Sequence, residues 1–328
     1  MRILSQTKID FLKWRWHAIA LSSVVIVAGL VTMARGLPLG IDFTGGTLLT
    51  LCFEQPVNED PIRRAIEPIP GDKVVQRVMG GVCANEMTVR LAVTDLEQGT
   101  ALEQSGLRAE QLIRDANVGT FTRESLEVVG PVIGADLARK GVYATITALV
   151  GILIYIAVRF NLMFAIGAIV AVFHDIILTL AILTWAGFDL TLNVVAAILT
   201  ITGYSVNDTI VIFDRVRENQ RTQRREPLTT IINTAVNQTL ARTVITAGTT
   251  FLSVLSLFLF GGEVLRGFSF TMMVGILLGT YSTVFIASAI AVLMGGRRGP
   301  GVVTQAQAQA QQATAPARPR TRAKKASV

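Results

Sequence analysis

The chain has 328 residues, of which 51% are hydrophobic and only 16% charged, and its mean hydropathy is +0.52. A soluble domain carries about a quarter charged residues, so a wholly soluble globular protein is excluded. The formal charge of +7 equals the seven Arg and Lys gathered after Met294, where no acid stands, so it argues for no nucleic-acid-binding face.

Crossing a bilayer takes about 20 apolar residues, and six stretches qualify. Residues 1–17 form a basic N-terminus with Lys8, Lys13 and Arg15 beside Trp14 and Trp16. The first span covers 18–36. A basic stretch before an apolar one also opens a signal peptide, but "TMARG" is a poor cleavage site, so an uncleaved signal anchor is expected.

Residues 37–138 change character and read as a polar α+β domain. "TLLTLCF" is a predicted strand, "NEDPIRRAIEPI" a short helix with Pro61 in its first turn, and "KVVQRVM" and "MTVRLAV" strands joined by the turn "GGVCANE". "GTALEQSGLRAEQLIRDAN" is a predicted helix and "ESLEVV" a last strand. The order β-α-β-β-α-β is the ferredoxin-like pattern. Cys52 lies on the first strand and Cys83 ahead of the third, and the spacing allows either a disulfide or two free thiols.

Five further spans follow at 139–158, 162–185, 190–213, 243–261 and 267–294, with a cytoplasmic loop or amphipathic segment at 214–242. The tail 295–328 is low in complexity and basic. It cannot bury a core, and is read as a disordered, topology-setting cytoplasmic segment, or one that binds anionic lipid or ribosomal RNA. Positive charge collects at the N-terminus, at Arg159, at Arg215–Arg225 and in the tail, every second loop. By the positive-inside rule both termini are cytoplasmic and the soluble domain faces the periplasm.

Charge at membrane depth is costly and points to function. Asp208, beside Asn207, lies in the fourth span, His174 and Asp175 in the middle of the third, and Arg242 opens the fifth. Helix direction puts Asp208 and Arg242 at the same depth, so the two can meet. One reading is a buried ion pair that only fixes register; the other is a protonatable carboxylate tuned by Arg242 in a proton path. His174 and Asp175 are weaker candidates, as relay or as packing. Asn193, Thr200, Gly203 and Asn207 make one helical stripe, and Arg242, Thr246, Thr249, Ser253 and Ser256 another. These are faces for each other or for a partner. Gly275, Gly279 and Thr283 form a seam for close helix contact. The sequence has no P-loop, HExxH or GxSxG motif, and two His with two Cys argue against a metal site. No cofactor is expected, and work must come from an ion gradient or a partner.

Four motifs together resemble the SecF family, the smaller subunits of bacterial SecD–SecF protein-export complexes: "GIDFTGGTLL", "VGPVIGADLARKGVYA", "GYSVNDTIVIFDRVREN" and "NQTLARTVITAGTTFLSVLSLFLFGG". The resemblance spans about residues 37–293. It implies membership of the resistance-nodulation-division superfamily, six transmembrane helices and one periplasmic domain. It also implies pairing with SecD beside the SecYEG channel, with YajC-type and YidC-type accessory membrane proteins, unfolded secretory chains and protons as further partners, in the bacterial inner membrane. The Asp of "NDT" and the Arg of "ART", here Asp208 and Arg242, would be the charged residues of the proton path. Asp42, Gly45 and Gly46 belong to the first motif. The rival readings are a proton-coupled exporter of small molecules or lipids of the same superfamily, and a scaffold of the translocon without coupling. An enzyme is not expected.

Overall fold

The computed structural model describes residues 7–78, 83–92, 99–223, 225–262 and 264–295. The expected tail, apart from Gly295, and part of the "GGVCANE" turn lie outside these residues. In chain order the elements are α1 (Arg15–Met33), α2 (Ile41–Thr44), β1 (Gly46–Phe53), α3 (Glu59–Ala65), β2 (Lys73–Arg77), β3 (Glu86–Leu91), α4 (Gly99–Asp115) and β4 (Phe121–Val129). They continue with α5 (Pro131–Arg159), α6 (Leu162–Trp185), α7 (Leu192–Thr222), α8 (Leu228–Phe260), α9 (Arg266–Ser282) and α10 (Ser288–Gly295). A π-helical stretch, Thr283–Ala287, joins the last two into one span.

Among the described residues six helices are long and apolar enough to cross a membrane. α6, α7 and α9–α10 form the packed centre, while α1, α5 and α8 expose most of their surface. Leu, Ile and Val on those outer helices are exposed because lipid, not water, is their solvent.

The soluble domain keeps the strand and helix succession read from the sequence. Its four strands are antiparallel in the order β2-β3-β1-β4. Alternation along β1 sends Leu49, Leu51 and Phe53 to one face, where Ile62, Ile66, Ala109 and Ile113 from the helical layer cover them. Each buried Leu, Ile or Phe side chain among them contributes about 1.5–3 kcal/mol. Cys52 and Cys83 are disulfide-bonded, with Cα atoms 6.0 Å apart, which settles the alternative left open above. The bond closes a 31-residue separation, and its loss is expected to lower the domain's stability by about 3 kcal/mol. A thermal melt of the full chain with and without reductant checks this.

Three helices run past the boundaries expected from hydropathy. α5 starts at Pro131, outside the apolar stretch, because Pro suits the first helical turn and no second proline follows before Arg159. α7 continues to Thr222 and α8 begins at Leu228, so most of 214–242 is helix rather than loop. There the period carries the helix on: Ile231, Ile232, Ala235 and Val236 are buried on one face. Asn237 and Asn233 of this extension clasp the N-terminal segment. Ile9 N–H donates to Asn237 Oδ1 at 2.9 Å, Asn237 Nδ2 donates back to Ile9 O at 2.8 Å, and Phe11 N–H donates to Asn233 Oδ1 at 3.0 Å.

Candidate functional site

The polar face of the sheet sits on the loop between α6 and α7. Gln76 Nε2 donates to Gly187 O at 3.1 Å and to Asp189 Oδ1 at 2.8 Å, and Arg90 pairs with Asp189 Oδ2 at 3.3 Å. Leu39 and Leu190 form a parallel bridge, with Leu190 N–H donating to Pro38 O at 2.7 Å and Gly40 N–H to Leu190 O at 2.8 Å. Asp42 Oδ2 then accepts from Leu192 N–H at 2.9 Å, where an acid meets the positive end of α7. The "GIDFTGG" motif is therefore the joint between domain and bundle. Gly45 and Gly46 have φ of 71° and 123°, and a Cβ on Gly46 would stand 2.3 Å from Leu91 O.

Burial pushes the Asp189 carboxyl up from the ordinary carboxylate range, with Arg90 and Gln76 pulling it back. A carboxyl that holds its proton better when docked favours docking on the acid side. That contribution fades as pH rises through the interval above its unfolded value. Arg90→Ala leaves the buried carboxylate unpaired and is expected to weaken docking at neutral pH by about 3 kcal/mol. It is also expected to steepen the weakening with rising pH, and hydrogen exchange in residues 186–191 reads both effects.

Within the bundle, Asp208 is partly buried on α7. Its Oδ1 accepts from Thr243 Oγ1 of α8 at 2.8 Å. Its Oδ2 is buried and has no hydrogen-bond partner among the described residues. Arg242 lies close enough to act on this carboxylate through its charge, but no ion pair joins them among the described residues. The neighbouring Thr243 is the direct partner, because it is buried while Arg242 faces outward. Asn207 also faces outward. The two stripes read from the sequence do not face each other: Asn193, Thr200, Gly203 and Asn207 are exposed, and so are Arg242, Thr246, Thr249, Ser253 and Ser256. Several of their hydroxyls are satisfied within their own helix, Thr200 by Ala196 O, Thr249 by Ile245 O and Ser253 by Thr249 O. The amide of Asn207 and the guanidinium of Arg242 have no such partner among the described residues.

His174 and Asp175 are 3% and 2% exposed and centre a second polar cluster. His174 Nδ1 lies 2.9 Å from Asp175 Oδ1, and Nε2 lies 2.9 Å from Ser22 Oγ of α1. Ser22 Oγ is 3.1 Å from Tyr281 Oη, and that phenol donates to Ala18 O at 2.9 Å. Asp175 Oδ2 accepts from Ser205 of α7 at 2.6 Å and Ser282 of α9 at 2.8 Å. The seam at Gly275, Gly279 and Thr283 brings α9 hard against α7, where Ile201, Ser205 and Thr209 meet it. The π-helical stretch begins directly after Ser282, in keeping with the frequency of such bulges at functional sites.

Sequence reasoning named Asp208, Arg242, His174 and Asp175 but missed Thr243, Ser205, Ser22, Ser282 and Tyr281. A hydroxyl in an apolar helix usually bonds its own preceding carbonyl, so the sequence gives no mark of those that cross between helices. The available signal was position: Ser205 lies one turn before Asp208, and Thr243 follows Arg242.

A bundle of six spans, a small α+β domain between the first two and a carboxylate inside the fourth define a polytopic membrane transport protein. The family model "Protein export membrane protein SecD/SecF, C-terminal" matches residues 109–297, and "SecD/SecF GG Motif" matches residues 31–57. "Protein translocase subunit SecF" of Desulfurispirillum indicum is 41% identical over 290 residues, covering 87% of this chain and 91% of the relative. Its counterpart in Escherichia coli is 38% identical, covering 88% of each. The crystal structure of SecDF, a translocon-associated membrane protein from Thermus thermophilus, matches with a TM-score of 0.74 and 34% identity over 90% of this chain. This chain spans 40% of that one. The chain belongs to the SecF family of protein translocase subunits.

Proposed function

We propose that this chain couples inward proton flow to protein export as the smaller partner of a SecD subunit, beside the SecYEG channel. The observation that carries this reading is Asp208 Oδ2, a buried carboxylate oxygen with no hydrogen-bond partner among the described residues. It is open to a proton and lies next to a polar face that the chain itself leaves uncovered. A SecD subunit covering that face would shelter Asn207 and Arg242 from lipid and complete the proton path, in which Asn207 lines the approach. The Cys52–Cys83 disulfide supports an oxidising compartment for the domain. With the basic residues of the opposite end, it argues for a periplasmic domain and cytoplasmic termini in the bacterial inner membrane.

Coupling requires that the two protonation states favour different conformations. α7 carries Asp208 in its middle and is gripped at its first residue by Asp42. The two points are about 24 Å apart at 1.5 Å rise per residue. A proton on Asp208 changes the hold on Thr243 and the attraction to Arg242, α7 shifts as a rigid rod, and the domain moves with it while engaged with an emerging unfolded secretory chain. The work is mechanical, as suits a transport subunit rather than an enzyme. The test is export into inverted membrane vesicles with an imposed proton gradient, for the native chain and for Asp208→Asn. Gradient-dependent export that disappears in the variant supports the reading. Gradient-dependent export that persists overturns it in favour of a structural carboxylate, and export indifferent to the gradient in both favours a scaffold.

A further inference from the structure

The hydrogen bonds around His174 can be counted. Ala18 O can only accept, so the single hydroxyl proton of Tyr281 goes to it. Ser22 must then donate to Tyr281 Oη, which spends its own proton. His174 Nε2 therefore donates to Ser22 Oγ. At the other end Asp175 Oδ2 is filled by the hydroxyls of Ser205 and Ser282, and Oδ1 faces His174 Nδ1 at 2.9 Å. A neutral ring with its proton on Nε2 would turn the Nδ1 lone pair toward an ionised carboxylate. One additional proton must lie between the two, as imidazolium with carboxylate or as imidazole with carboxylic acid, and the pair is neutral either way.

The pair is closed where Asp208 is open. From Ala18 O to Ser205 each side chain is joined to the next, with Ser282 also reaching Gly279 O at 3.2 Å, and His174 and Asp175 are almost wholly buried. Removing the shared proton would leave a net negative charge in the bundle with no cation paired to it among the described residues, a costly state. Of the titratable groups on the helices around it, Tyr281 is within the path and Asp208 bonds Thr243. Arg159 of α5 is engaged with Asp214 of α7, Lys140 of α5 with Asp136, and the charges of α1 lie in its opening turn.

We propose that His174 and Asp175 keep one shared proton throughout transport and act as positioning residues. They fix α1, α6, α7 and α9 to one another, so that Asp208, one turn along α7 from Ser205, is the group that gains and loses a proton. The last clause rests on the function proposed above; the retained proton does not.

The test uses the assembled complex with its partner subunit in lipid nanodiscs, with ring-15N histidine and His17→Gln, which leaves His174 as this chain's labelled ring. Labelled histidines of the partner are subtracted with a His174→Gln control. The His174 nitrogen signals are expected to stay fixed from about pH 5 to about pH 8, the range in which an ordinary histidine changes charge. A titration with its midpoint inside that range overturns the proposal. A second variant, Ser205→Ala, removes the tie between Asp175 and α7. It is expected to move the pH of half-maximal export by several tenths of a unit with the level of complex unchanged. An unmoved profile overturns the positioning role, since a merely structural loss would lower the amount of complex without shifting the pH. If export shows no gradient dependence at all, the proposed function fails while the nitrogen signals still decide the retained proton.

Discussion

Asp208→Asn is expected to reduce gradient-driven export to the level measured with the gradient collapsed, while the complex still assembles in normal amount. Asn keeps the volume of Asp, and its carbonyl oxygen can still accept from Thr243, so the 2.8 Å bond survives. What is lost is ionisation at the oxygen that has no partner among the described residues. Thr243→Val makes the complementary change, keeping the carboxylate and removing its donor. A hydrogen bond to a charged group is worth about 1.5–3 kcal/mol, so the balance between protonated and ionised Asp208 is expected to move by about tenfold or more. Export should then persist with a displaced pH dependence rather than vanish. Initial rates at several external pH values separate the two variants. A Thr243→Val chain as inactive as Asp208→Asn would show that helix packing, not the proton, limits export.

The membrane spans were legible because lipid imposes length and hydropathy on every helix, and the soluble domain was legible because its strands alternate. The places where the reading fell short have local causes. The ends of α5, α7 and α8 lie beyond the apolar stretches, where lipid does not decide helix formation: Pro131 opens α5, and the partners of Asn237 and Ile232 hold the start of α8. Arg242 stood out as a charge, yet Thr243, ordinary in composition, is the residue that reaches Asp208. The polar stripes on α7 and α8 were legible as stripes, but periodicity does not say which way a helix is turned. Both face out, because the Gly275–Gly279 seam draws the opposite side of α7 into the bundle through Ile201 and Ser205. His174 and Asp175 read as minor candidates since the residues that complete their network come from three other helices, far away in sequence. The motif residues Asp42, Gly45 and Gly46 were recognisable only by resemblance, and their physical role needs the loop at Asp189 and the start of α7, which no local pattern brings to them.

That joint carries the second large effect, for which Gly46→Ala is expected to be more damaging than Gly45→Ala. At Gly46 the backbone φ of 123° lies outside the region an L-residue adopts, and the new Cβ would stand 2.3 Å from Leu91 O. Strain of this kind costs about 1–3 kcal/mol. The obstructing atom is backbone of β3 beside the first rung of the central strand pair, Thr47 opposite Leu91, so it cannot turn aside. The β1–β3 ladder must open at that end, and with it the link from sheet to α2 and Asp42. Gly45, at φ 71° and ψ 168°, also lies in a backbone region essentially reserved for glycine, but the nearest atom to a Cβ is Pro131 Cα at 3.0 Å. Ala there costs a similar strain of about 1–3 kcal/mol and a small shift of the α5 start, without the close clash met at Gly46. Against a domain stability of about 5–15 kcal/mol, Gly46→Ala is expected to leave the domain partly unfolded or undocked, and Gly45→Ala to leave it folded. Limited proteolysis of the full chain in membranes measures this, with cleavage between residues 46 and 129 as the readout. Equal protection in the two variants would mean that the joint tolerates displacement of Leu91, and that the grip of Asp42 on α7, not the Gly46 turn, holds the domain in place.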